Sequence, residues 1–478
     1  MENSVVKKIP LRGKIGFASI CFGQKITDMV MAAYILFFYT NALEINPGIS
    51  ATIILAAKIW DIINDPMMGG IIDRTHGKKE GNCRFYLKYG AFAMGLILFL
   101  SLWVPDMSNM ATVAWITVTY VLYGMITTMT FIPASTLVGR VTPDDGERAS
   151  LMQWENIGAI SASLLINAYT MKMVTFFGQG DLKHGFMILG IIYGVATAVL
   201  IFAGYLLTKG LEPLDSEVKS TVSDRLPKQK DRVSLGASLK ALLQNHIWVI
   251  LVIMNLLNMT GSAFGNTVMP FYFQYNFTYG DSLYGLYSIC GMAVMFIPLL
   301  LLKSVVAKLG PARTAGYGSL IGVVGYLIRF VFHDGSPMIM CIGWVITSFG
   351  SGFAGMVALL LIFDSAVFGE WKTGVSNDAM LISGRSASVK IGLALGGPIA
   401  GYSLLLVPYV EGAATQVQSV QNLFFYESTL LPLIIMLIPA LFYLTVIRNN
   451  EKRLPQMRKE IEERKSAEFA AEQSAAEN

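Results

Sequence analysis

The sequence predicts an all-α polytopic membrane protein of about twelve transmembrane helices in two six-helix halves. Three observations carry this. First, 54% of the 478 residues are hydrophobic and only 14% charged, a surface that water cannot solvate. Second, apolar runs of ~20 residues or more recur at 15–43, 48–73, 85–104, 110–138, 150–178, 184–208, 244–275, 283–302, 312–333, 337–363, 379–408 and 421–447. Third, one long polar interior stretch, opening at Lys209, falls between the sixth and seventh runs. The expected divisions are an amino-terminal half over 1–208, a central loop over 209–243, a carboxyl-terminal half over 244–447 and a charged tail over 448–478.

Each element follows from local signals. The amino end is polar through Lys14, and the first apolar run is too long for a cleavable signal. Lys and Arg concentrate in alternate connections: Lys7, Lys8, Arg12 and Lys14 before span 1, Arg74 to Arg84 between spans 2 and 3, Arg140 and Arg148 around the 4–5 loop, and Lys303 to Arg313 between spans 8 and 9. The opposite loops carry Glu44, Asp106, Asp281 and Glu411. Both termini are therefore expected on the cytoplasmic side of the cell membrane, which needs an even number of spans. The 4–5 loop (Asp144-Asp-Gly-Glu-Arg148) and the 10–11 loop (Asp364, then Gly369-Glu-Trp-Lys372) are alike, and the 2–3 and 8–9 loops are both short and basic with a turn glycine, Gly77 and Gly310. Two such halves around a central loop match the major-facilitator plan, with its substrate site at the midplane. The tail after Arg448 reads as a solvated helix.

Composition also excludes. No basic patch interleaved with aromatics suggests nucleic acid, and the four cysteines show neither metal nor disulfide spacing. No nucleophile–base pair, phosphate loop or metal cluster marks an enzyme. No cofactor is implied, and a monomer in membrane lipid is expected.

The informative residues are ionisable groups inside the spans, which are costly unless paired or facing water. Lys58, Asp61 and Asp65 lie at i, i+3 and i+7, on one helix face, with Asn64 beside them. A buried structural salt bridge needs only one acid. Two acids and an amide point to an ion path. Span 1 contributes Gln24, Lys25 and Asp28, with Lys25 and Asp28 able to meet at i, i+3. Lys25 lies ~12 Å deep, and Asp61 and Lys390 roughly 16 Å, at ~1.5 Å per residue. Span 5 adds Glu155 and Asn156, and span 11 adds Arg385 and Lys390. Three lysines (Lys25, Lys58, Lys390) then face four carboxylates (Asp28, Asp61, Asp65, Glu155), one positive charge short. That deficit suits one bound Na⁺, Li⁺ or H⁺, and oxygen ligands such as Asp61 and Asp65 suit a hard cation. Trp60 and Trp154 offer faces for a sugar ring, or ordinary packing.

The segment Lys58-Ile-Trp-Asp-Ile-Ile-Asn-Asp-Pro-Met-Met-Gly69 resembles the helix 2 signature of the glycoside–pentoside–hexuronide:cation symporters, the family of the melibiose permease. Phe37-Phe-Tyr-Thr40, Thr119-Tyr-Val-Leu-Tyr-Gly-Met125 and Phe368-Gly-Glu-Trp-Lys-Thr-Gly374 extend the likeness along the chain. The resemblance implies a cation site at Asp61, Asn64, Asp65 and Thr128, with Lys58 and Lys390 in the coupling network beside Asp28. The family's sugar-contacting positions correspond to Lys25, Phe131, Ser135, Asn156 and Gly355, and every one has changed. These, with Gln24, Trp154 and Glu155, are the substrate-site candidates. Two roles stand for Lys25: meeting a substrate carboxylate, or neutralising Asp28 or Asp61.

The implied function is symport of a sugar with Na⁺ or H⁺ by alternating access. Two rivals stand beside it. An exchanger or carrier of lipid-like solutes is suggested by Phe131 and Gly355. A non-transporting sensor on the same fold is opposed by the intact cation pair.

Overall fold

The computed structural model describes residues 9–74, 81–142, 145–212, 242–277, 280–332, 336–374 and 378–476. Most of the central loop, the basic amino tail through residue 8 and Gly77 lie outside the described residues. Within them the structure is helical and contains no strand. The helices are α1 (Leu11–Ala33), α2 (Pro47–Arg74), α3 (Asn82–Leu102), α4 (Asn109–Val141), α5 (Asp145–Gly178), α6 (Leu182–Leu207) and α7 (His246–Asn276). They continue as α8 (Gly280–Val294), α9 (Phe296–Leu309), α10 (Pro311–Val331), α11 (Pro337–Thr373), α12 (Asp378–Ser403), α13 (Gln418–Ser428), α14 (Leu430–Phe442) and α15 (Arg448–Ala476). Proline opens α10 and α11 at their first turn, where its missing N–H costs nothing. α11 ends at Gly374 in the left-handed conformation (φ 71°).

Nine helices among the described residues are long and apolar enough to cross a membrane, ten if α1 and its 48° bent continuation Ile35–Ala42 are one span. The difference from about twelve has physical causes. α2 is diluted by Lys58, Asp61 and Asp65. The run expected at 283–302 breaks at Met295 into α8 and the 14-residue α9.

By packing, the chain forms two compact units. The first comprises Met1–Lys228, Asn266–Ile289 and Gly397–Asn422, and the second Gln229–Gly265, Cys290–Gly396 and Leu423–Asn478. This is a partition of contacts, whereas the six-plus-six division is one of sequence order.

In the first unit, α1 packs on α5 and α6, α3 on α4 and α6, and α2 on α4. Glycines set these distances: a Cβ on Gly194 would stand 2.6 Å from the Gly95 carbonyl, and one on Gly204 2.7 Å from the Gly16 carbonyl. The end of α1 closes the unit on one side. Tyr34 to Tyr39 are at most 2% exposed. Phe37 packs edge-on against Phe271 at 5.1 Å, and Phe38 against Phe186 at 4.9 Å. Asn41 donates to the Tyr275 hydroxyl and accepts from the Tyr409 hydroxyl at 2.6 Å.

The second unit is built on α10 and α11, with α14 and α15 against them. Here the solvated tail of the sequence reading is corrected: Leu454, Met457 and Ile461 of α15 are buried, an i, i+3, i+7 stripe facing the unit. Trp371 donates its indole N–H to Glu460 at 2.6 Å, and Arg464 donates to the Trp371 carbonyl at 3.2 Å. The 10–11 motif is therefore the seat of the tail helix.

The internal repeat is visible in how the two units cap a helix. Gly81 precedes α3 with φ 95° and Gly310 precedes α10 with φ 82°. At the first, the Glu212 carboxylate accepts from the N–H groups of Cys83 (2.9 Å) and Arg84 (3.0 Å). At the second, Glu451 accepts from Ala312 N–H at 3.1 Å. Glu212 lies just past α6 and Glu451 in the first turn of α15, and each satisfies orphan donors where the helix dipole is positive. A Cβ on either glycine would collide with that carboxylate. Gly81 is thus a counterpart of Gly310; the expected turn glycine Gly77 lies outside the described residues. Both Gly81→Ala and Gly310→Ala are expected to destabilise the protein by about 1–3 kcal/mol, from φ strain plus the lost cap. The check is a lowered thermal midpoint in detergent relative to a Gly265→Ala control, a position where an added Cβ meets nothing within 4 Å.

Candidate functional site

The site grows from one stripe of α2. Lys58, Asp61 and Asp65 share a face, and Asn64 lies beside them with only 7% of its surface exposed. The facing helix is α4, where Gly124 and Thr128 stand one turn apart. Gly124 has no side chain to hold Asp61 away: an added Cβ would fall on the Asp61 carboxylate, 3.1 Å from its Cγ. Lys58 Nζ donates to the same carboxylate at 3.2 Å. One turn on, Thr128 Oγ1 donates to Asp65 Oδ1 at 2.8 Å, and its alternative acceptor is the Gly124 carbonyl at 3.0 Å.

α1 supplies the second layer. Lys25 Nζ pairs with Asp28 at 2.8 Å, and the Tyr123 hydroxyl of α4 donates to the other Asp28 oxygen at 3.4 Å. The Tyr123 ring lies under Lys58 Nζ, 5.9 Å from its centroid. Asp28, Tyr123, Lys58 and Asp61 are therefore one chain of contacts joining α1, α4 and α2. Lys25, Lys58, Asp28, Asp61 and Asp65 thus all lie in the first unit.

The buried turn at Tyr34–Tyr39 lies just past Asp28 on α1. The side chains of Lys25 and Asp28 are themselves 33% and 47% exposed, and those of Lys58 and Asp61 are 29% and 22%. Phe131 and Ser135, one turn apart toward the Arg140 end of α4, are exposed as well. Charges inside a span are costly unless they are paired or face water.

Other candidates stand elsewhere. Lys14 pairs with Glu147 at 3.1 Å, and Gly158 packs on Ala18, so α1 and α5 run parallel. Glu155 lines a cavity of about 420 Å³ with Ser135, Val138, Arg148 and Met152. Trp154 is half-buried and Asn156 exposed on α5. Lys390 and Gly355 belong to the second unit. Lys390 is exposed there, and the Gly355 Cα faces open space. By contrast Gly352 is filled by Pro298 at 2.9 Å and Gly392 by Met259 at 2.7 Å, which accounts for those glycines by packing.

Sequence reasoning passed over Tyr123 and Gly124, although both lie in the quoted α4 motif. The available signal was spacing: Tyr120, Gly124 and Thr128 follow at i, i+4 and i+8, one stripe facing α2.

Two carboxylates a turn apart, a carboxamide and a hydroxyl form an oxygen-rich niche for a hard monovalent cation or a proton. Gly124→Ala is expected to push Asp61 from α4 and lower coupling-cation affinity at least about tenfold, roughly 1.4 kcal/mol. The check is the thermal shift produced by Na⁺, Li⁺ or a pH step in the purified protein. Unchanged shifts in the variant would remove Asp61 from the cation niche.

A family model described as MFS/sugar transport protein matches residues 16–448. The chain is 27% identical to the isoprimeverose transporter of Lactiplantibacillus pentosus, over 87% of this chain and 85% of that one. It is 24% identical to the inner membrane symporter YicJ of Escherichia coli (strain K12), over 97% and 98%. Among solved structures, a proton-dependent oligopeptide transporter superposes with a TM-score of 0.63 at 13% identity, covering 93% of this chain and all (100%) of that one. The nucleoside transporter NupG superposes with a TM-score of 0.57 at 15% identity, covering 89% and 98%. These two show the fold alone. A membrane transporter fold, a niche of paired carboxylates and a family match over most of its length lead to one conclusion: the chain belongs to the MFS/sugar transport protein family.

Proposed function

We propose that this protein carries a sugar or glycoside across the membrane together with a coupling cation, Na⁺, Li⁺ or H⁺, by alternating access. The observation that carries the reading is the pair Asp61 and Asp65, a turn apart on α2, with Gly124 leaving room for the first and Thr128 donating to the second. Two neighbouring carboxylates resist enclosure in a low-dielectric interior. A bound cation offsets their negative charge, so the occluded intermediate forms readily only in the loaded state. Coupling must then be reciprocal: sugar raises cation affinity by the factor by which the cation raises sugar affinity. The related isoprimeverose transporter and the symporter YicJ support a sugar substrate and co-transport.

The niche belongs to Asp61, Asn64, Asp65 and Thr128, with Lys58, Asp28 and Lys390 tuning its charge. The carrier is read as a monomer in the lipid of the cell's inner membrane, with both termini cytoplasmic because the arginine- and lysine-rich connections share their side. Reporter fusions after residue 478 and within residues 105–108 are expected to report the cytoplasm and the opposite side; the reverse pattern overturns that orientation.

Uptake into proteoliposomes of a mixed panel of glycosides, pentosides and hexuronides, with an inward Na⁺ or H⁺ gradient imposed or collapsed, tests the function. At least one sugar is expected to accumulate only with a gradient, and Asp61→Asn and Asp65→Asn to abolish accumulation. Solute movement that needs a counter-solute and ignores both gradients would favour the exchanger.

A further inference from the structure

Coupling at Asp61 and Asp65 leaves one carboxylate inside a span unused. The apolar segment of α5 opens at Ser150, so Glu155 lies about 8 Å along it at ~1.5 Å per residue. Glu155 is half-buried and lines the cavity of about 420 Å³ with Ser135, Val138, Arg148 and Met152. Among the described residues its carboxylate forms no hydrogen bond and no ion pair. The cationic groups around it are engaged elsewhere. Lys14 of α1 binds Glu147 and Ser150, and Lys25 binds Asp28. Arg140 of α4 reaches Glu212, and Arg148 of α5 itself donates to the Thr142 carbonyl at 3.2 Å. α6 carries Lys183, bound to Asp106, and His184 at the end remote from Glu155; its Tyr193 meets Thr170 and its Tyr205 ring meets Arg84. α8 touches α5 at Asn167 and Ala168, more than three turns further on, through Tyr284 and Gly285. The Cys21 thiol of α1 lies within electrostatic reach of Glu155, and a thiol offers an anion no counter-charge.

An ionised carboxylate in a span is tolerated while water reaches it and becomes costly once the carrier encloses its cargo. A cation at Asp61 and Asp65 does not remove that cost, because Glu155 makes no contact with either of them. Protonation does remove it, and it converts an acceptor-only group into one with an O–H donor. The same cavity supplies an acceptor for that donor. Ser135 Oγ already gives its hydrogen to the Phe131 carbonyl at 3.0 Å, so toward the cavity it can only accept. An ionised Glu155 and Ser135 would both be acceptors; a protonated Glu155 complements Ser135.

We propose that Glu155 is a proton-binding site outside the Asp61–Asp65 pair, ionised while its cavity is open to water and loaded with one proton before the cargo is enclosed. The step is acid–base only. One proton passes from water to a carboxylate oxygen of Glu155 and returns to water when the cavity reopens; no bond of the cargo changes and nothing is oxidised or reduced. The proposal rests on the symport reading and adds to it a requirement that the coupling cation cannot meet.

The test is sugar exchange across proteoliposomes of the full chain, with Na⁺ and Li⁺ saturating and equal pH on both sides, followed from about pH 6 to about pH 9. The wild-type rate is expected to fall at least about tenfold as pH rises, because only the protonated form is enclosed. Glu155→Gln keeps a donor and carries no charge at any pH, so its rate is expected to fall less than about twofold over the same range. Glu155→Asp is expected to restore the fall. An unchanged cation-induced thermal shift identifies the variants as folded. A measurement on the wild-type chain alone stands beside these: sugar added to the cation-loaded protein in weak buffer is expected to draw about one proton per molecule from solution. A flat wild-type profile, a Glu155→Gln profile with the wild-type slope, or no proton uptake overturns the proposal and leaves sugar symport intact. A folded Glu155→Gln that exchanges at no pH overturns it too, because the group is then needed as an anion. If the wild type moves no sugar of the panel at any pH, the proton site and the symport reading fall together.

Discussion

The structure of the first unit depends on placing carboxylates inside a membrane protein without leaving them uncompensated. Asp28, Asp61 and Asp65 each meet a partner: Lys25, Lys58 and Thr128. Ion pairs alone would not suffice, since desolvation of two charges can exceed their attraction. The geometry adds hydrogen bonds from Tyr123 and Thr128. Gly124 is the element that makes this possible, because the Asp61 carboxylate occupies the space where any other residue would put its Cβ.

The same requirement shapes the rest of the unit. A hydrated charge cluster needs a barrier on its other side, and the barrier is the aromatic turn from Tyr34 to Tyr39 with Phe186 and Phe271. The chain leaves helical geometry there, bending by 48° and continuing in a π-helical turn that ends at Ala42. Such turns mark places where the backbone departs from its cheapest form for a purpose. Here the wider turn brings Asn41 between the hydroxyls of Tyr275 and Tyr409.

Far from the cluster, stiffness comes from another device. Glu212 and Glu451 each close the start of a helix behind a positive-φ glycine, Gly81 and Gly310. In the second unit the tail helix extends this clasp, laying Leu454, Met457 and Ile461 on the unit and binding Trp371 through Glu460 and Arg464. In each unit a glutamate just past a long apolar segment, Glu212 after α6 and Glu451 after α14, caps another helix, so the likeness seen faintly in loop motifs is matched by one of capping chemistry.

Composition and periodicity by themselves determined the class: apolar runs of spanning length can satisfy their backbone only as helices in lipid. The i, i+3, i+7 spacing of Lys58, Asp61 and Asp65 placed them on one face because helix geometry is local, and the resemblance of that stretch named the family. The partners of those residues lie on other helices, and no local rule reports them. Only the tertiary structure put Gly124 against Asp61, hung Tyr123 between Asp28 and Lys58, and set Glu155 in a cavity with Ser135 and Arg148. Depth is read along one helix, whereas proximity depends on how neighbouring helices are rotated and offset. The tail likewise read as solvated because its charges outnumber its apolar residues. Its three-residue apolar stripe gained meaning only once the surface it covers was in place.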